Sequence, residues 1–302
     1  MNTSTASSRA TAASGGLRSA MRQYPLLFYV IIAYAFSWIV SIPFILAEWG
    51  IVPKAGFYQI FFIVKSFGPA VAAYIMVRAT EGKAGLLDLR SRLRRWRVGW
   101  QWYAFILLGV PALMLPGIVV LPGALASFRG LPPHFLISYA VTFVVILLGG
   151  GPLGEEPGWR GFALPRLQSR YGPLPGTLLL GVMWTFWHLP DFLTSAQKGG
   201  PGAGWSVLYA GLPVFFVEVM VLAVVFTWVF NHTGGSVLIA ILLHASYNTF
   251  GYTMRPLFAA PIVTATDLPF LIEVGGLALL IVVFTRGRLG YRPGTGLAAR
   301  VD

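Results

Sequence analysis

Two adjacent carboxylates, Glu155 and Glu156, stand in the stretch GGGPLGEEPGWRGFALPRL, directly after one of the most apolar runs of the chain. Acids are scarce, ten in 302 residues, so their pairing asks for a reason. Arg160 follows Glu156 at i+4, the spacing at which an acid and a base share a helix face with the acid on the favourable N-terminal side. Glu155 points about 100° away from Glu156 on a helix. One carboxylate is then neutralised by Arg160, and the other is left to work. Pro157 lacks an amide hydrogen and suits a first helical turn. A helix starting near Glu155 would place both acids at its positive end. A loop with an incidental ion pair is the plainer alternative.

Two further stretches carry polar pairs at helical spacing. In GVMWTFWHLPDF, Trp184 and His188 are i and i+4, and the helix is expected to end near Leu189 because Pro190 follows. In AILLHASYNTF, His244 and Asn248 are i and i+4 within another apolar segment. Taken singly, each pair has a structural reading: a core histidine bonded to a neighbour, or polar glue between helices. Taken together, they supply a carboxylate base, imidazoles to bind and polarise, and an amide donor for an oxyanion, which is the inventory of hydrolysis.

The elements that must position these residues are membrane helices. The chain is 56% hydrophobic and 11% charged, against about 25% charged residues in a soluble domain. Eight apolar windows, roughly 25–47, 57–77, 101–122, 134–150, 176–193, 206–230, 235–250 and 268–285, predict an all-α polytopic bundle of about eight transmembrane helices. The fourth and seventh are short for a span. With both termini cytoplasmic, the inner segments hold seventeen of the 22 basic residues, as expected for cytoplasmic loops. The cluster RSRLRRWRVGW then reads as a topology signal beside anionic headgroups, and the net charge of +12 is not a nucleic-acid footprint. Absence of cysteine excludes disulfides, thiolate metal sites and a cysteine nucleophile.

Along the chain, residues 1–24 read as a disordered cytoplasmic tail and 25–130 as N-terminal spans with a basic inner loop. The chemistry-bearing core falls in 131–286, and 287–302 form a basic C-terminal tail. Glycine and proline clusters at 149–152, 172–175 and 199–201 mark connections. The tryptophans at span ends read as interface anchors.

The ordered trio EExxxR, aromatic-xxxH and HxxxN resembles the CPBP family, which includes the type II CAAX prenyl proteases and bacterial proteins of abortive-infection and bacteriocin-immunity type. The resemblance covers Gly149 to Phe250. Glu155, Glu156 and Arg160 fall on the first motif, His188 on the second with Trp184 where the family usually has Phe, and His244 and Asn248 on the third. The resemblance implies an intramembrane glutamic peptidase acting on a membrane-associated peptide or protein; a bacterial plasma membrane is expected, and the eight-span topology puts the site toward the cytoplasm. Glu155 would be the general base for a water held with His188. His244 and Asn248 would stabilise the oxyanion, while Glu156 and Arg160 orient Glu155. No cofactor is expected, since HxxxN offers a poorer ligand pair than HxxxH; a zinc ion, if bound, would take Glu155, His188 and His244. Two other classes compete: a transporter or channel that lines a path with these groups, and a non-proteolytic immunity or adaptor protein. Glu218 is an embedded acid that could face the same cavity. Asp191 and His232, near span ends, are expected to be solvated.

Overall fold

The computed structural model describes residues 16–149, 151–194, 204–264 and 266–293, and no strand occurs among them. The principal helices are α1 (Pro25–Glu48), α2 (Gln59–Lys65), α3 (Gly68–Thr80), α4 (Gly82–Leu93), α5 (Trp100–Val119), α6 (Phe135–Leu148) and α7 (Gly151–Tyr171). They continue with α8 (Pro173–Trp187), α9 (Leu189–Leu193), α10 (Gly204–His232), α11 (Val237–Met254) and α12 (Asp267–Phe284). This is an all-α polytopic membrane protein. Four helices, α1, α5, α10 from Leu208 onward and α12, are long and apolar enough to cross a membrane alone. Counting two bent pairs, Gly56–Lys65 with α3 at 40° and α6 with α7 at 43°, gives six.

All eight expected windows are helical, but not all hold a full span. α8 has 15 residues, short of the ~20 that cross the hydrocarbon core. α11 has 18, with His244, Ser246, Asn248, Thr249 and Thr253 among them. α11 is packed within the bundle, where length and polarity are set by neighbouring helices rather than by lipid, whereas α8 keeps an exposed apolar face of Leu178, Leu179 and Phe186. Of the tail expected over 1–24, residues 16–23 are helical, and residues 1–15 lie outside the described residues. So do the glycine break at 199–201 and the end of the C-terminal tail, 294–302. The start of that tail folds back: Asn231 Nδ2 donates to the Leu289 carbonyl at 2.9 Å, and Leu289 is fully buried.

Proline sets the form of the central helix. Pro152 occupies the first turn of α7, where its missing N–H costs nothing. The helix therefore starts at Gly151 rather than near Glu155, and Pro157 lies inside it. This corrects the expected start: the two acids sit a turn within the helix. α5 and α7 each contain a widened π-type turn, Phe105–Gly109 and Trp159–Ala163, and Pro111 and Pro165 follow two residues later. A proline ring collides with the carbonyl four residues back. Those residues are Leu107 and Gly161, and both lie in the widened turns.

α7 is the hub, packed on α3, α6, α8 and α11, with every residue from 154 to 164 buried. Its approach to the α2–α3 break is backbone on backbone. A Cβ on Gly154 would meet the Ser66 carbonyl oxygen at 2.5 Å, and one on Gly158, a turn later, the Pro69 backbone at 2.5 Å. α1 is tied in by hydrogen bonds: Ser37 Oγ donates to the Lys65 carbonyl at 2.6 Å and accepts from Trp187 Nε1 at 2.8 Å. Trp38 Nε1 donates to the Trp187 carbonyl at 3.1 Å. The basic segment at the end of α4 and just beyond it is not merely solvated. Arg92 is buried beside Asp88 at 2.9 Å, Arg95 reaches the Gly234 carbonyl, and Ser236 Oγ donates to the Arg95 carbonyl at 2.6 Å.

Gly158→Ala is expected to destabilise the protein by about 1–3 kcal/mol, because overpacking against backbone outweighs the gain of up to about 1 kcal/mol in helix propensity. Gly161→Ala should cost less, since its Cβ would meet the end of the Leu89 side chain at 2.8 Å. Thermal unfolding of both variants in detergent micelles measures the difference.

Candidate active site

On α7 the two acids diverge, as their i, i+1 spacing requires. Glu156 turns inward and is completely buried. Its Oε1 accepts from Arg160 Nη1 at 2.9 Å and from His244 Nδ1 at 2.8 Å. The ion pair read from the EExxxR spacing is therefore present, and α11 adds a third member. Arg160, also fully buried, lays its guanidinium over Trp184 at 4.4 Å and Phe226 at 4.8 Å. Burying ions costs several kcal/mol each. A second donor on the carboxylate and two aromatic faces on the guanidinium offset part of that.

Glu155 faces the other way, into a cavity of about 440 Å³. Its Oε2 accepts from Trp184 Nε1 at 2.8 Å. His188 closes α8, and its Nδ1–H donates to the Trp184 carbonyl at 2.9 Å. That carbonyl is one of those a helix end leaves without a partner. Since a carbonyl can only accept, Nδ1 carries the proton and Nε2 holds the lone pair of neutral His188. The helix stops at Trp187 rather than near Leu189, and Pro190 opens the first turn of α9.

Glu155, His188, His244 and Asn248 all line this one cavity, whose walls also include Phe62, Val145, Phe192, Phe215 and Leu222. Three distant stretches of sequence thus converge. Glu156 and Arg160 do not line it but lie behind Glu155 and His244. At the mouth of α7, a Cβ on Gly151 would sit 3.9 Å from both Glu155 Oε1 and Asn248 Nδ2, so the bare glycine keeps the space between acid and amide open. Glu218 lines the cavity too. Among the described residues no group of three or more His, Cys, Asp or Glu side chains is gathered closely enough to hold a metal ion.

One pair on the cavity wall was not read from the sequence. Lys65 and Asp191 form a buried ion pair, each no more than 4% exposed. This corrects the expectation that Asp191 is solvated. The turn of α9 folds it inward, its N–H donating to the His188 carbonyl at 2.8 Å, and Lys65 meets it from the α2–α3 break. Lys65 Nζ also lies over Phe62 at 4.7 Å and Trp187 at 5.1 Å. The signal was available: a lysine inside the apolar run FFIVKSFGP needs an embedded acid. His232, by contrast, is exposed as expected.

Fold and cavity together define a polytopic, all-α integral membrane protein whose polar side chains gather on one internal chamber. Residues 136–250 match the family described as Type II CAAX prenyl endopeptidase Rce1-like. The CAAX prenyl protease 2 of Methanococcus maripaludis is 26% identical over 198 residues, which span 64% of this chain and 72% of that protein. Over that stretch the chain is similar to the CAAX prenyl endopeptidases, and the likeness supports endopeptidase activity within the membrane in general. All six candidate residues lie inside the matched stretch; Lys65 lies outside it.

Lys65→Met leaves Asp191 buried without its partner and is expected to cost about 3–5 kcal/mol, whereas Lys65→Met with Asp191→Leu should recover most of that loss. Chemical or thermal denaturation of the two variants beside wild type gives the comparison.

Proposed function

We propose that the chain is a glutamate-dependent intramembrane endopeptidase that cleaves a membrane-associated peptide or protein segment in its internal cavity without a metal. The observation that carries this reading is the meeting of Glu155, His188, His244 and Asn248 on one cavity wall. Glu155 takes a proton from water, and the hydroxide adds to the peptide carbonyl carbon. The resulting tetrahedral oxyanion is held by the Asn248 amide and by His244. Glu155 then returns the proton to the leaving nitrogen as the C–N bond breaks, giving a carboxylate and an amine. His188 suits the positioning of that water, because its Nε2 lone pair can accept a water hydrogen. His244, with Nδ1 committed to Glu156, donates to an oxyanion through Nε2 as an imidazolium, and its contact with Glu156 is then an ion pair.

Several features support the assignment of roles. Trapping Glu156 between Arg160 and His244 keeps it from competing for the substrate and fixes the helix on which Glu155 rides. Apolar walls at Phe62, Val145, Phe192 and Phe215 suit an apolar segment delivered from the bilayer. The name of the methanococcal relative, a CAAX prenyl protease, favours a substrate held at the membrane. As part of this reading the site is placed at the cytoplasmic side of a bacterial plasma membrane, where the basic segment 90–97 would lie beside anionic headgroups.

Glu155→Gln should lower cleavage of a membrane-bound peptide in reconstituted vesicles by at least about 100-fold, the scale of a lost general base. Wild-type rates should persist after exhaustive chelation. Full activity in Glu155→Gln would remove the base assignment, and loss of activity on chelation, restored by zinc, would replace the metal-free route. Solute flux without proteolysis would point to a transporter instead.

A further inference from the structure

One side chain touches the acid and both imidazoles of the proposed reaction centre without belonging to the acid, imidazole or amide set. Trp184 is 3% exposed, on the last turn of α8. Its indole Nε1–H donates to Glu155 Oε2 at 2.8 Å. Its carbonyl accepts from His188 Nδ1 at 2.9 Å. Its ring lies 4.4 Å from the Arg160 guanidinium and packs edge-on to the His244 ring at 5.5 Å.

A glutamate on a cavity wall has two equivalent oxygens and a terminal torsion that is only broadly restricted. Trp184 removes that equivalence. With Oε2 engaged, the torsion is fixed and Oε1 is the oxygen left toward the Gly151–Asn248 side of the cavity. The same residue sets the tautomer of His188 through its carbonyl. Because the donor is an indole N–H, it cannot also accept, so it never takes up the proton that Glu155 must receive.

We propose that Trp184 is a positioning residue whose indole N–H selects Oε1 of Glu155 as the reacting oxygen and holds it toward the water. The proposal rests on the assignment of Glu155 as base. It adds a requirement of its own: the N–H, and not only the aromatic ring, is needed for turnover.

Two replacements isolate the N–H. Trp184→Phe keeps an aromatic ring; 3-benzothienylalanine incorporated at position 184 keeps the bicyclic shape and replaces N–H by sulfur. For both, kcat for a membrane-bound fluorogenic peptide in vesicles should fall roughly 10- to 100-fold, the rate equivalent of a lost hydrogen bond to a charged group. For the benzothienyl protein KM should stay within about twofold, since its ring keeps the shape that Trp184 presents to the cavity. Thermal unfolding of the benzothienyl protein should match wild type. Wild-type kcat in the benzothienyl protein overturns the proposal, as does a loss confined to KM. If Trp184→Phe fails to fold, the benzothienyl protein alone decides. Glu155→Gln assayed alongside separates the two readings. Activity in that variant defeats the base assignment, whereas an inactive Glu155→Gln beside a fully active benzothienyl protein defeats only the role given to Trp184.

Discussion

A single oxygen, Oε1 of Glu156, constrains the rest of the molecule. It carries negative charge into a fully buried position and accepts from Arg160 on its own helix and His244 on α11. Arg160 in turn presses on Trp184 of α8 and Phe226 of α10. Four helices are thus registered on one carboxylate. An ion pair in a low-dielectric interior tolerates little displacement, because its attraction must match a desolvation cost of several kcal/mol per ion. The cavity walls inherit that precision. Glu155 is the next residue on α7, and His244 carries its second ring nitrogen from the same anchored imidazole.

The sequence made the chemistry legible to the extent that the chemistry is local. Glu156 and Arg160 share a turn of helix, as do Trp184 with His188 and His244 with Asn248, and i, i+4 spacing reports such pairs directly. The all-helical class was equally plain, since long apolar runs leave few alternatives in a bilayer. Contacts between those local pairs were not legible. Nothing in the spacing says that His244 meets Glu156 rather than Glu155, or that the Trp184 indole bonds the neighbouring acid. Helix boundaries failed where two prolines competed for one first turn. Pro157 was read as the start, but Pro152 takes that place, and α7 absorbs Pro157 within its length. Span number is a different matter: α11 is enclosed by protein, so neither its length nor its polarity need obey the rule for lipid-facing helices.

The N-terminal segments, generic in sequence, turn out to complete the site. α1 holds the α2–α3 break through Ser37, and that break delivers Lys65 to Asp191, one turn beyond His188. The close seat of α7 on Ser66 and Pro69 comes from the same break. A cavity built by the motif-bearing helices therefore depends on a wall whose own sequence announces only one embedded lysine. Charge on that wall is balanced locally, pair by pair, so that Glu155 faces the chamber without a neighbouring cation of its own helix to neutralise it.

The widened turn at Trp159–Ala163 separates α7 into two halves that answer to different partners. Ahead of it, the phase is fixed by the acids. Beyond it, Arg166 pairs with Glu81, and Leu167 packs toward α8. A π-type turn holds one residue more than the α-helical turn it replaces, and one residue corresponds to about 100° of rotation. Excising a single residue there would leave an unbroken helix of nearly the same composition while turning one half away from its neighbours. For this segment, then, length is constrained alongside identity: a one-codon deletion would undo the phase on which the buried contacts of both halves depend.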